Sequence, residues 1–466
     1  MKKRYTAILL STILLCCMGK TTAFATEEKQ AEGITQKCKI TVSEGDASVL
    51  TDKVMKTHWQ PTSDKGIITI ELPEIAAGGL SISWFEEPQD YLISAKDKNG
   101  SECNRFSKEK GFSKIKDYFE LDPQVKKITI QLRSPKDSIS ELNVFSQGTL
   151  PATVQVWDAP VQKAELMVVS AHQDDELLWF GGTLPTYAVD QKKPTVVVYM
   201  ANCGRSRRAE AMNGLWAMGI QNHPVFDGFP DKRSNQLEEG LANWGGEDAV
   251  IGKLVENIRQ YKPSVIVSHD VNGEYGHGAH RATAYALQKA VLAAQDKNQY
   301  PESAQAYGTW QIKKLYLHLY QDNPIEMDWN QPLETFGGKT GYEIACIGYA
   351  EHKSQQSFYH MQQGGKYDNA KFGLAYTSVG LDTGEKDFFE HVQDIGSVSG
   401  EDVGTDMHNV EQANVQQLPI QHNAWWIPVI CIIAGLTVSG MGIWRVCYTN
   451  QKRKKPSNRN RPKQLR

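Results

Sequence analysis

Continuous apolar runs of strand length recur from about residue 160 onwards, and they constrain the fold of this chain more than any other feature. The runs lie at 166–170, 195–200 and 265–267, and stretches with helical periodicity lie at 207–218, 251–261 and 281–294. Unbroken apolar runs are typical of parallel strands that are covered on both faces of a sheet. The alternation therefore predicts an α/β domain with a Rossmann-like parallel sheet over residues 160–384.

Residues 36–150 show a different pattern, in which short β segments lie between clusters of Gly, Pro, Asp and Asn. The segments lie at 39–42, 66–72, 80–84, 91–96, 127–132 and 140–146. Their number and spacing predict a small all-β sandwich. His58 and Trp59 are followed by a strand with alternating apolar residues and, later, by an apolar strand. This order resembles a discoidin-type, galactose-binding-like jelly roll. That resemblance implies an accessory domain that binds carbohydrate or a surface, and a spacer that binds nothing is the alternative.

The charge of the chain is distributed unevenly, although its formal net charge is only -3. Residues 1–25 contain four basic side chains and residues 424–466 contain nine, and neither segment contains an acidic one. Residues 26–423 therefore hold 38 Lys and Arg against 54 Asp and Glu, a formal charge of -16. An acidic body of this size argues against a nucleic-acid partner.

The two ends of the chain predict a single-pass membrane protein whose main part lies outside the cell. A basic start, an apolar run and an A-x-A site predict a secretory signal peptide over residues 1–25, with an uncleaved anchor as the alternative. The uncharged, apolar stretch at 424–444 has the length of a transmembrane helix. By the positive-inside rule, the basic tail at 445–466 lies in the cytoplasm. The polar residues 385–423 are expected to form a flexible stalk.

Four cysteines lie in the part that is predicted to be extracytoplasmic: Cys38, Cys103, Cys203 and Cys346. That compartment permits disulfides, and Cys38 with Cys103 is the pair expected within the first domain. No C-x-x-C pair occurs, so a cysteine zinc site is not indicated.

Polar clusters follow two of the predicted parallel strands. His172, Asp174, Asp175 and Glu176 come directly after the first strand, and a segment that ends in an H-x-x-H pair at 277–280 comes after the strand at 265–267. Ligands of such sheets bind at the carboxyl ends of the strands, so the two clusters are expected to meet there. Imidazole and carboxylate groups brought together in this way predict a metal site.

Together the motifs A-H-x-D-D-E and G-x-Y-G-H-x-x-H resemble the PIG-L/LmbE-like family of zinc-dependent deacetylases, which act on N-acetyl groups of amino sugars. The resemblance covers about residues 160–360 and implies that His172, Asp175 and His280 hold Zn²⁺. Two imidazoles and one carboxylate leave a fourth position open, as in a catalytic zinc site.

The resemblance and the chemistry assign roles to the other residues. Asp174 is expected to be the general base, because one of two adjacent carboxylates can bind metal while the other faces the water. His277 would stabilise the oxyanion or protonate the departing amine, with Tyr275 as a helper. Glu176 is expected to orient a ligand histidine. Ala279 stands where many relatives have an acid, so the protonation of His277 would depend on another group such as Asp270.

The predicted helix after the second strand also contains charged residues that are part of the family resemblance. Arg208 and Glu210 resemble a substrate-side region of the family, and for Arg208 a surface salt bridge is the alternative. The sequence as a whole predicts a membrane-anchored zinc hydrolase that removes acetyl groups from N-acetylated sugars or glycans outside the cell. The alternative is a surface carbohydrate-binding or adhesion protein with an inactive hydrolase domain.

Overall fold

The structure is a computed structural model that describes residues 29–108, 114–384 and 386–392. The predicted signal peptide, the predicted transmembrane helix, the basic tail and most of the predicted stalk lie outside these residues. Within the described ranges, no helix is both long enough and apolar enough to cross a membrane.

The N-terminal domain contains eight strands in two antiparallel sheets. The strands are β1 (Lys39–Val42), β2 (Gly66–Glu71), β3 (Ala77–Trp84), β4 (Tyr91–Lys96), β5 (Glu102–Ser107), β6 (Lys116–Glu120), β7 (Lys127–Leu132) and β8 (Ile139–Ser146). One sheet has the order β1-β2-β7-β4-β5 and the other has the order β6-β3-β8. The buried side chains of both sheets share one apolar core, as expected of a sandwich. The sequence prediction missed β5 and β6, because their side chains are mostly polar.

The second domain is built on one seven-stranded sheet. Its strands are β9 (Leu166–Ser170), β10 (Thr195–Asn202), β11 (Val225–Pro230), β12 (Val265–Ser268), β13 (Lys314–His318), β14 (Pro324–Glu326) and β15 (Lys371–Thr377). The order is β11-β10-β9-β12-β13-β15-β14. The first five strands in this order are parallel, whereas β15 runs antiparallel to β13 and to β14. The predicted parallel sheet is thus corrected to a mixed sheet with an antiparallel edge.

Helices connect the parallel strands. They are α1 (Asp175–Leu178), α2 (Arg205–Ala217), α3 (Leu237–Asn243), α4 (Glu247–Tyr261), α5 (Gly278–Ala293), α6 (Pro301–Tyr307) and α7 (Gly341–Tyr349). A π-helical segment spans Leu184–Asp190, and short 3-10 helices span Thr35–Lys37, Ala47–Leu50 and Glu274–Gly276. Apolar side chains cover the sheet on both faces, which explains why β9 reads as an unbroken apolar run with every residue buried.

The strand order places the two sequence motifs side by side. In chain order the parallel strands read 3-2-1-4-5, the doubly wound arrangement, whose order reverses between β9 and β12. These strands are direct neighbours, with Val267 paired to Val168. The chain segments that leave their carboxyl ends therefore diverge and leave a crevice between them, at the point where ligands bind in this fold.

Two details of the described residues contradict the sequence predictions. The stalk cannot begin at residue 385, because Phe388 is fully buried and stacks on Tyr187, so the domain continues at least to residue 392. Cys38 and Cys103 are both free, and a disulfide between them is therefore not formed.

Candidate metal and catalytic site

Three side chains meet at the crevice with their ligand atoms almost in contact. Nδ1 of His172 lies 3.0 Å from Oδ2 of Asp175 and 3.2 Å from Nε2 of His280. Oδ2 of Asp175 and Nε2 of His280 are 3.3 Å apart. His172 and Asp175 follow β9, whereas His280 lies in the first turn of α5, after β12. All three side chains are buried. The structure thus brings together the three residues that the sequence predicts as metal ligands.

The spacing of this triangle fits a tetrahedral metal ion. Ligand atoms about 2.0 to 2.2 Å from such an ion lie about 3.3 to 3.6 Å from one another, close to the separations found here. His269 also lies near Asp175, at 3.5 Å, and could be taken for a ligand. Its Nε2, however, accepts a hydrogen bond from the backbone N–H of Ala171 at 2.8 Å, so that lone pair is occupied. His172 and His280 also lie close to His277, which makes His277 an alternative third ligand, whereas the atoms of His172, Asp175 and His280 form the tightest triangle.

Hydrogen bonds fix the orientation of Asp175. The indole Nε1 of Trp179 donates to Oδ1 at 2.8 Å, and the backbone N–H of His172 donates to Oδ2 at 2.7 Å. Oδ2 is also the oxygen of the ligand triangle. The carboxylate is therefore held with one defined oxygen toward a metal ion, as expected of a ligand whose surroundings set its geometry.

Glu274 is a site residue that the sequence prediction missed. Its carboxylate is fully buried and accepts hydrogen bonds from Nδ1 of His280 at 2.6 Å, of His269 at 2.9 Å and of His318 at 2.7 Å. Burial alone would raise the pKa of Glu274, but these imidazoles outweigh it and hold that pKa well below its usual range. Glu274 is thus an anion that binds Nδ1 of His280, so that Nε2 is the nitrogen directed toward the candidate metal site.

The prediction that Glu176 orients a ligand histidine is wrong. Its Oε2 accepts a hydrogen bond from the backbone N–H of Asp174 at 2.9 Å, and its Oε1 lies 3.4 Å from Nε2 of His352. His352 is not part of the ligand triangle. Glu176 therefore supports the turn that carries Asp174. Glu274 is the carboxylate that orients a ligand histidine, the role expected of Glu176.

Asp174 lies at the start of α1 in an unusual backbone conformation. Its φ of 135° is outside the regions that L-residues normally occupy, so the surrounding contacts must hold it there. Nη2 of Arg207 donates to Oδ1 of Asp174 at 2.6 Å and also to the carbonyl oxygen of Gln173. Burial and then the charge of Asp175 raise the pKa of Asp174 well above its usual value, against the opposing effect of Arg207.

His277 and Tyr275 line the same cavity, which has a volume of about 600 Å³. The ring of His277 lies 4.7 Å from that of His172, and its Nδ1 is buried without a hydrogen-bond partner among the described residues. Burial and then the neighbouring His280 lower the pKa of His277 to about 3, so its imidazole is neutral. The ring of Tyr275 stacks on that of Tyr359, 5.2 Å away. The suggested partner Asp270 hydrogen-bonds Asn272 instead of His277.

The charged residues of α2 are arranged differently from the sequence expectation. Arg208 forms an ion pair with Glu86 at 2.9 Å and does not line the cavity, so the salt-bridge alternative is the one observed. Glu210 accepts hydrogen bonds from the backbone N–H and hydroxyl of Ser354. Arg207, which the sequence prediction passed over, is the arginine of this helix that reaches the site.

A doubly wound sheet with a buried His, Asp and His triangle at its switch point, open to a cavity, has the architecture of a hydrolase with one metal ion. Residues 167–291 match the family model described as PIG-L, GlcNAc-PI de-N-acetylase. This part of the chain is a PIG-L domain.

Curated relatives are similar to part of the chain. A 1D-myo-inositol 2-acetamido-2-deoxy-alpha-D-glucopyranoside deacetylase of Catenulispora acidiphila is 28% identical over 213 residues, which are 40% of this chain and 64% of the relative. The corresponding enzyme of Kineococcus radiotolerans is 26% identical over 243 residues, which are 44% of this chain and 65% of the relative. The chain thus spans slightly less than two thirds of the length of these relatives.

Two solved structures each resemble part of the chain. The N,N'-diacetylchitobiose deacetylase of Pyrococcus horikoshii covers 42% of this chain and 72% of its own, with 16% identity and a TM-score of 0.32. The protein CpGH89CBM32-6 of Clostridium perfringens covers 25% of this chain and 100% of its own, with 16% identity and a TM-score of 0.22.

Proposed function

We propose that this chain is a zinc-dependent hydrolase that removes the acetyl group from an N-acetylated amino sugar of the N-acetylglucosamine type. The observation that carries the proposal is the triangle of His172, Asp175 and His280, with Asp174 beside it on an open cavity. The PIG-L domain and the similarity to deacetylases of a 2-acetamido-2-deoxy-glucopyranoside support the substrate class.

His172, Asp175 and His280 would hold the zinc ion, which when bound supplies Lewis acidity to lower the pKa of water and to polarise a carbonyl. Asp174 would take the proton of the attacking water, and burial raises the pKa of its carboxyl group above the usual value, which makes the carboxylate a stronger base. Arg207 holds this carboxylate in place. As the C–N bond of the amide breaks, the proton passes to the departing amine, so that the products are acetate and the free amino sugar.

His277 and Tyr275 would act on the oxygen of the scissile carbonyl. A neutral imidazole donates a hydrogen bond without carrying charge into the site, and Nδ1 of His277 has no competing partner among the described residues. Tyr275 is 39% exposed at the cavity, where its hydroxyl group can reach a bound ligand. Donors that face developing negative charge on oxygen commonly lower the barrier of amide hydrolysis.

Acetate release from a panel of N-acetylated saccharides tests this proposal. The full chain should release acetate, lose that activity after treatment with a chelator and regain it with Zn²⁺. His172→Ala should bind no stoichiometric zinc and should be inactive, whereas His360→Ala, at an exposed histidine that is not among the residues lining the cavity, should resemble the parent. Background-level release by the zinc-loaded parent would favour the alternative of a binding protein with an inactive hydrolase domain.

We also propose that the enzyme acts outside the cell and is anchored by a C-terminal helix. The support is the sequence alone: an apolar stretch at 424–444, a basic tail and a basic, apolar N-terminus with an A-x-A site. Protease added to intact cells should degrade the catalytic domain and spare a tag placed after residue 466. Protection of the domain until the cells are lysed would refute this topology.

A further inference from the structure

Helix α2 contacts the β-sandwich domain through one set of side chains and the candidate active site through another. Arg205 and Arg208 bind the turn that follows β3, whereas Arg207 binds Asp174. In an α-helix, residues three apart share a face, and Arg207 is rotated by about 200° from Arg205. The rotation of the helix that satisfies the sandwich contacts therefore also sets the direction of Arg207.

The contacts with the sandwich domain converge on Phe85 and Glu86. The carboxylate of Glu86 accepts from Nη2 of Arg205 at 2.5 Å through one oxygen and from Nη2 of Arg208 at 2.9 Å through the other. Nε of Arg205 donates to the carbonyl oxygen of Phe85 at 2.9 Å, and the guanidinium lies 3.0 Å from the centre of the Phe85 ring. The side chain of Arg208 is only 7% exposed and that of Glu86 is 46% exposed, so the ion pair is partly buried on the arginine side.

The same helix is held by the sandwich domain and the following linker at later positions. Asn213 accepts hydrogen bonds from Nζ of Lys116 in β6 and from Nε2 of Gln155. The indole of Trp216 donates to the carbonyl oxygen of Ala152. The contacts extend over the whole length of α2, so the helix is fixed against rotation and translation.

On the opposite side, the contact of α2 is with the residue assigned as the base. Arg207 and Asp174 form an ion pair in which the two side chains are 17% and 5% exposed. Charged hydrogen bonds in such low-dielectric surroundings depend strongly on geometry. A small displacement of the helix would therefore release a carboxylate that already has a strained backbone.

We propose that Glu86 is a positioning residue for the hydrolase site, and that the β-sandwich domain completes this site by holding α2 so that Arg207 fixes Asp174. This inference rests on the proposed function. It gives the sandwich domain a role in the reaction that does not require it to bind a ligand.

Kinetics of the full, zinc-loaded chain test the proposal. Glu86→Gln keeps the size of the side chain and removes its charge, and it should lower kcat about tenfold, because small misplacements of reacting groups are costly. KM and zinc content should stay within about twofold of the parent if only the base is misplaced. Glu102→Gln is a matched control in the same domain, since Glu102 pairs with Arg105 at 3.3 Å and does not contact α2. An equal loss of kcat in the control would overturn the inference.

A double-mutant cycle shows whether Glu86 acts through Arg207. In an Arg207→Ala background, Glu86→Gln should change kcat by less than about twofold, because Arg207, through which Glu86 is proposed to act, is already absent. If kcat of the double variant instead fell by the product of the two single losses, Glu86 would act on stability or on another group. That result would refute the proposed route through Arg207.

Hydrogen–deuterium exchange distinguishes this inference from the proposed function, since it needs no substrate. Glu86→Gln should speed the exchange of amides in α2 and in residues 172–178 at least about fivefold, because these segments open more easily. Glu102→Gln should leave them unchanged. Exchange that matches the parent would overturn the inference even if the chain is an active deacetylase. Faster exchange in a chain without acetate release would refute only the proposed function.

Discussion

Oε2 of Glu274 accepts a hydrogen bond of 2.6 Å from Nδ1 of His280, and this contact determines which nitrogen of His280 faces the metal site. With Nδ1 bound to Glu274, Nε2 is the nitrogen of His280 that points to His172 and Asp175. The same carboxylate also binds His269 and His318. Glu274 thus organises the imidazoles behind the ligand triangle.

Replacement of Glu274 by Gln is expected to weaken zinc binding about 10- to 100-fold, as is typical when the partner of a ligand histidine is lost. An amide can accept through its oxygen only, so it cannot satisfy three imidazole donors. Competition with a chromogenic chelator measures the affinity. Glu176→Gln, at a buried carboxylate without a bond to a ligand imidazole, is the control and should change the affinity less than about threefold. A larger effect in the control than in Glu274→Gln would restore Glu176 as the orienting residue.

Asp174→Asn is expected to reduce kcat by about 10²- to 10⁴-fold, the usual contribution of a general base. Zinc content should remain near that of the parent, because the oxygens of Asp174 are not part of the ligand triangle. Acetate release and metal analysis on the same preparation measure both. Loss of zinc together with activity would show that Asp174 is a ligand, and unchanged kcat would remove it from the mechanism.

The buried Lys314 should be important for the stability of the α/β domain. Its ammonium group binds the carboxylate of Asp382 and lies 3.2 Å from the hydroxyl group of Tyr316. Lys314→Met should lower the free energy of unfolding by about 3 to 5 kcal/mol, because it leaves the mostly buried Asp382 without its counter-ion. Urea denaturation measures the change.

Lys289→Met is the matched control for this ion pair. Lys289 binds Glu247 at 2.6 Å, but the side chains are 33% and 46% exposed. Solvent screens the pair, so its loss should cost no more than about 1 kcal/mol. Similar decreases in the free energy of unfolding for Lys314→Met and Lys289→Met would show that burial does not make the Lys314 ion pair more important for stability.

His223 predicts how the stability of the chain depends on pH. Burial lowers the pKa of His223 to about 3, even though the carbonyl oxygen of Pro224 accepts from Nδ1. Nε2 accepts the backbone N–H of Ile115 and therefore carries no proton. In the unfolded chain this imidazole has a pKa of about 6.5.

Between these two pKa values the unfolded chain binds a proton that the folded chain does not. The stability that His223 contributes is therefore complete above about pH 6.5 and is lost as the pH falls toward 3. From pH 6.5 to 5 the loss is about 2 kcal/mol. His223→Gln keeps an acceptor for Ile115 but does not titrate, so its Tm should decrease less than that of the parent between pH 7 and 5. Equal decreases in the Tm of His223→Gln and of the parent would show that His223 is protonated in the folded chain.

Local patterns in the sequence predicted many elements accurately. The bounds of β1, β4, β7 and β9 agree with the predicted ones, since side-chain alternation or continuous apolar character identifies a strand within a few residues. β5 and β6 were missed because their side chains are mostly polar. The antiparallel strands β14 and β15 were missed because their pairing joins segments that lie far apart along the chain.

The ligand triangle was predictable because its members lie in short motifs directly after two strands. Glu274 was not identified, although it belongs to the second motif, because its role depends on His318 from β13 and His280 from α5. Glu176 was preferred because it is near the ligands in sequence. In the structure its carboxylate points to the turn of Asp174 and to His352.

The sequence by itself determined an α/β domain in which His172, Asp175 and His280 follow two neighbouring strands, preceded by a β-sandwich, because these features follow from patterns within a few residues. Only the tertiary structure decided which carboxylate supports His280, which arginine of α2 reaches Asp174, and that Glu86 of the sandwich domain holds that helix. Glu86 and Arg208 are 122 positions apart, and no local pattern records such a pair. Contacts of this kind arise from the order of strands and the packing of domains, which bury charges that must then find partners.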